Sequence, residues 1–77
     1  MRIVGIFNKK EEQIGFRLAG METNLIHDKD ELEEKLDKIL DNPNIGILVV
    51  NADVFNLLPD KFEKIEKRQL PLLLKID

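Results

Sequence analysis

The 77-residue sequence has no cysteine, serine, tryptophan or tyrosine, one histidine and one threonine. Each absence removes a class of chemistry. Without cysteine there is neither a disulfide nor a thiolate metal site to supplement the core, and the composition fits a reducing compartment. Without serine, and with Thr23 placed in a strand pattern, no nucleophile–base arrangement is visible. A single histidine, His27, leaves only an all-oxygen metal site, and the Asp28-Lys29-Asp30-Glu31 run lacks the glycine and spacing of a calcium loop. Catalytic, cofactor-binding and metal-binding residues are therefore all expected to be none. No apolar run approaches the roughly 20 residues that span a bilayer. Ile3 to Phe7 is too short for a signal-peptide core. The net charge of −3 gives no electrostatic reason for nucleic-acid binding.

Alternating strand and helix patterns fill the rest of the chain, with no linker or repeat, so residues 1–77 read as one domain. Arg2 to Phe7 is a buried strand pattern. A polar turn, Asn8 to Glu12, leads into a short helix, in which Ile14 and Leu18 lie four apart and are expected to face the sheet. The second strand, about Met21 to Ile26, is polar enough for an edge. Asp28 is positioned to cap the second helix, with Glu31 at the reciprocal capping-box position. Leu32, Leu36, Ile39 and Leu40 form its apolar stripe. Glu31–Lys35 and Glu34–Lys38 have favourable i,i+4 spacing, and Asn42-Pro43 ends the helix. Ile45 to Val50 is an unbroken apolar run, as in a central parallel strand. Asp53, read as a cap, opens a helical turn to Leu58. Pro59 predicts a kink or a new start, with Phe62 and Ile65 inward. Leu72 to Ile76, preceded by Pro71, is the last strand.

The order β-α-β-α-β-α-β predicts an α/β fold with a four-stranded parallel sheet. With the most apolar strands central, the strand order is 2-1-3-4, a truncated doubly wound, flavodoxin-like sheet with helices on both faces. The first helix then covers one face alone, leaving apolar area open over strands three and four. Leu73 is expected on that open side, with Leu72, Leu74 and Ile76 under the helices of the other face.

Ligands in such sheets bind beyond the strands' carboxyl ends. These carry Asn8-Lys9-Lys10, His27-Asp28 and Asn51-Ala52-Asp53. No glycine follows the first strand until Gly15, so there is no phosphate-cradling loop. Asn8 and Asn51 occupy places where a phosphoacceptor receiver domain has acidic residues. A small signalling or ligand-binding flavodoxin-like domain, related to receivers but lacking the phosphoacceptor, is the alternative functional reading.

The most distinctive segment is Gly15-Phe16-Arg17-Leu18-Ala19-Gly20. Gly20 belongs at a left-handed C-cap. Gly15 has no such role and implies close approach of the helix to the sheet, or room for another chain. Phe16 has two readings, core residue or interface anchor. Arg17 beside it is suited to an acidic partner. Gly15, Phe16, Arg17 and Leu73 are the candidate interface residues.

This six-residue motif after an apolar strand resembles the F subunit, the small central-stalk component, of V-type and A-type rotary ATPases. Asn44 to Val50 is similar to that family's third strand, and Leu70 to Ile76 to its fourth. The resemblance implies a non-catalytic rotor component without cofactors. It implies docking on the coiled-coil D subunit of the rotor and contact with other stalk and head subunits. The role it implies is coupling of ATP turnover to proton or sodium transport. It also implies a cytoplasmic location, peripheral to the membrane. Archaeal and bacterial members continue past the fourth strand into a helical segment that would lie over the open face and modulate hydrolysis. A chain ending at Asp77 is expected to retain docking and lose that second role.

Overall fold

The computed structural model describes residues 1–76, which form a single parallel sheet of order β2-β1-β3-β4. The elements are β1 (Arg2–Phe7), α1 (Lys10–Leu18), β2 (Glu22–Leu25), α2 (Lys29–Leu40), β3 (Ile45–Asn51), α3 (Ala52–Leu57), α4 (Pro59–Glu66) and β4 (Leu72–Ile76). The strand order is the expected one. Pro59 stands at the first turn of α4, where its missing N–H costs nothing. The third helical stretch is therefore two helices.

Strand register fixes which side chains share a face. Ile3, Val4, Gly5 and Ile6 of β1 align with Ile47, Leu48, Val49 and Val50 of β3. Ile47, Leu48, Val49 and Val50 align in turn with Leu72, Leu73, Leu74 and Lys75 of β4. One face presents Val4, Ile6, Leu48 and Val50, and these join the core cluster with Leu32, Leu36 and Ile39 of α2, Val54 of α3, and Phe62 and Ile65 of α4. The stripe read in α2 is thus the buried one, with Leu40 packed at its margin.

The opposite face has α1 alone, over β1 and β2. Its helix buries no residue fully. The contact that holds it is a stack of Phe16 on Phe7, with centroids 4.9 Å apart and planes 5° from parallel. Phe7 is fully buried. Its ring folds back over Gly5, where a Cβ would come within 2.5 Å of the ring. The glycine in β1 therefore makes room for the aromatic pair.

Four expectations need correction, the last of them the Asp53 cap. Leu18 does not face the sheet; it is 80% exposed, and Ile14 is half-buried. The inward positions of α1 are instead Glu12, Gln13 and Phe16. Leu73 does not lie on the open side. It packs against the core cluster, while Leu72 and Leu74 are 53% and 45% exposed on the α1 face. The i,i+4 pairs of α2 are not formed. Lys61 Nζ instead bridges to Asp37 Oδ1 at 2.8 Å, tying α4 to α2, and His27 Nδ1 lies 3.3 Å from Glu31 Oε1.

Asp28 caps α2 as read: its Oδ1 accepts from the Glu31 backbone N–H at 2.8 Å. Asp53 is no cap. The cap of α3 is Asn51, whose Oδ1 accepts from Val54 N–H at 2.8 Å. Asp28→Ala is therefore expected to cost about 1 kcal/mol in urea unfolding, and Asp53→Ala less than about 0.5 kcal/mol as a surface change. Equal losses at both positions would contradict the cap assignment.

Candidate partner interface

The Gly15–Gly20 segment divides into two halves with different duties. Gly20 has φ +96°, the left-handed region. Its N–H donates to Arg17 O at 3.0 Å, and Met21 N–H donates to Phe16 O at 3.1 Å. These two bonds make a Schellman motif, which satisfies the last carbonyls of α1 and turns the chain toward β2. Phe16 and Gly20 are thus accounted for within the chain: one holds α1 on the sheet, the other ends it.

Gly15, Arg17, Leu18 and Ala19 are exposed. A Cβ at Gly15 would meet nothing within 4 Å, so the glycine does not serve close approach to the sheet. Arg17 forms no ion pair among the described residues. It lines a groove at the amino ends of the strands, together with Met21, Asn24, Lys38 and Asn42. Leu18 is a large apolar side chain with four-fifths of its area in water. Sequence periodicity missed Leu18 because Glu12 and Gln13, which point inward, are polar. An apolar-stripe count on a nine-residue helix then selects the wrong side.

At the carboxyl ends of the strands the site is closed by its own side chains. Asn51 is 2% exposed. Its Nδ2 donates to Asn8 Oδ1 and Glu12 Oε1, both at 2.8 Å. Its Oδ1 is taken by the cap of α3. Both amide hydrogens of this buried side chain, and one acceptor site of its oxygen, are thus used within the chain. Surface grooves lie at the opposite end: the one that Arg17 lines, one lined by Met1 to Ile3 with Ala19 to Glu22, and a smaller one lined by Pro43 and Ile45 with Leu70 and Pro71. Lys75, at the end of β4, is occupied over the Phe55 ring, its Nζ 4.6 Å from the centroid. No group of three or more metal-ligating side chains occurs among the described residues. Among those residues no helix is long and apolar enough to cross a membrane.

Residues 4–77 match the family model described as ATP synthase (F/14-kDa) subunit. The chain is 37% identical over 57 residues to the F subunit of the A-type ATP synthase from Methanococcoides burtonii, covering 74% of this chain and 58% of that protein. It is 32% identical over 63 residues to the F subunit of the A-type ATP synthase from Methanocorpusculum labreanum, covering 80% and 63%. The match thus spans less than two thirds of the length of these relatives. The crystal structure of the F subunit of the V-type ATP synthase from Archaeoglobus fulgidus superposes with a TM-score of 0.78 at 17% identity, covering 99% of this chain and 98% of the other. That likeness is one of fold.

The two glycines of the motif should respond oppositely to substitution. Gly20→Ala places a Cβ in the left-handed region and is expected to cost roughly 1–2 kcal/mol. Gly15→Ala removes a flexible residue from an open helical position and is expected to stabilise the chain by up to about 1 kcal/mol. Urea midpoints of the two variants check both signs. A destabilised Gly15→Ala would show that the space above Gly15 is not open.

Proposed function

We propose a function from one premise: the chain belongs to the ATP synthase (F/14-kDa) subunit family, the F subunit of A-type and V-type ATP synthases. It acts as a non-catalytic central-stalk component, peripheral to the membrane. It docks on the coiled-coil D subunit of the rotor, and it helps couple ATP turnover to proton or sodium transport. The remaining stalk and head subunits are its other neighbours.

The observation that carries the docking site is the division of the Gly15–Gly20 segment. Phe16 and Gly20 have structural duties, whereas the side chains of Arg17 and Leu18 and the space above Gly15 have none among the described residues. An exposed leucine beside an unpaired arginine and a side-chain-free notch suits a helix lying close to α1. Leucine anchors the contact, arginine meets acidic residues of the coil, and the glycine permits close backbone approach. The closed strand ends support a role without nucleotide chemistry of its own.

Co-expression with the coiled-coil rotor protein tests this reading. The parent chain should co-purify with it. Gly15→Leu and Leu18→Glu should each weaken the complex at least tenfold while melting within a few degrees of the parent. Full binding by both variants would exclude the α1 surface. Failure of the parent to co-purify would exclude the rotor reading itself.

A further inference from the structure

We propose that the free edge of β4 accepts an additional β-strand from a partner segment that alternates apolar and acidic residues. This does not rest on rotor docking, which involves α1 over the opposite edge of the sheet.

The two sheet edges differ in kind. At β2 the side chains are polar and engaged. Glu22 accepts from Arg2 Nε and Nη2 at 2.9 and 3.0 Å, and Thr23 Oγ1 accepts from Gln13 at 2.8 Å. Exposed edges are normally blunted in this way. At β4 the sequence is Leu-Leu-Leu-Lys-Ile, paired to β3 on one side only, with no strand among the described residues on the other. Leu72 and Leu74 remain about half exposed on the α1 face. Its one polar side chain, Lys75, is drawn over Phe55 on the opposite face, so it does not shield the open edge. Five residues extend about 16 Å, enough for a short strand to pair in full.

Charge identifies the occupant. Residues 1–66 carry nine Lys or Arg against fourteen Asp or Glu. Residues 67–76 carry Lys67, Arg68 and Lys75 and no acid. All three are exposed, and none forms an ion pair among the described residues. The apolar edge thus follows Lys67 and Arg68 and carries Lys75 near its end, with Asp77 the one acid after residue 66, in a chain that is otherwise acidic. A second copy of this chain would bring the same cations together, whereas an acid-bearing strand neutralises them. Register sets the alternation. Apolar residues of the added strand lie on the face of Leu72, Leu74 and Ile76, and acidic residues on the face of Lys75.

The test uses the 77-residue chain, isotopically labelled, and a short synthetic peptide alternating valine and glutamate. The expected result is saturable binding. Alternate amides of Leu72 to Ile76 gain protection from hydrogen exchange, and shifts are confined to β4, Lys67, Arg68 and the Phe55 region. A peptide with lysine for glutamate should bind at least tenfold more weakly. So should one N-methylated along one edge, which keeps the side chains but loses the backbone donors. The triple variant Lys67→Glu, Arg68→Glu, Lys75→Glu should reverse the preference between the two charged peptides. Its folding is confirmed by retention of the upfield-shifted core methyl signals. The proposal is overturned by absence of binding, by equal binding of acidic and basic peptides, or by protection centred on β2. It is also overturned if the β4 amides become protected only through self-association as chain concentration rises.

Discussion

A sheet has two faces, and this chain covers only one of them fully. Val4 and Ile6, Leu48 and Val50 all point toward α2, α3 and α4, and the core cluster is continuous on that side alone. On the other side one aromatic contact, Phe16 stacked on Phe7 above Gly5, holds α1 together with the Glu12–Asn51 and Gln13–Thr23 hydrogen bonds. The stack secures α1 over β1 and β2. It leaves Leu72 and Leu74 of β4, and Ile3 near the start of β1, each about half exposed on that face. In a small domain, where only about 60% of the unfolded surface is removed from water, an uncovered half-face of this kind is where assembly contacts are expected to concentrate.

The polar architecture is equally one-sided. Asn51, at the end of the most buried strand, links β1 through Asn8, α1 through Glu12 and α3 through its cap. One side chain thereby pins three elements at the topological switch point, where doubly wound folds usually hold a ligand. That crevice is thus occupied by the chain's own amide.

Much of this was legible in the sequence because the strong signals were long or cooperative. α2 combines a cap, a four-residue apolar stripe and a proline stop. The apolar runs of β1 and β3 placed both at the sheet centre, and strand order followed. The failures have particular causes. α1 faces inward with Glu12, Gln13 and Phe16, whose polar members are satisfied by Asn51 and Thr23. Hydrophobic spacing therefore favoured Leu18, the most exposed side chain of the pair it selected. In β4 both alternating sets are largely apolar, so sequence could not assign the faces. Lys75, which shares the face of Leu73, is accommodated over Phe55. Asp53 was read as a cap because it is acidic and near a helix start, but the asparagine two residues earlier is the one whose side chain reaches the free N–H.

The central claim is that the outward half of the Gly15–Gly20 segment is the docking surface, while the strand carboxyl ends are closed. Hydrogen–deuterium exchange of the chain, alone and bound to the coiled-coil rotor protein, addresses both parts together. The account predicts slowed exchange in α1 from Gly15 to Ala19, with the Asn8 and Asn51–Val54 amides unchanged. Protection centred on the Asn8–Asn51 end, with α1 exchanging as in the free chain, would contradict it.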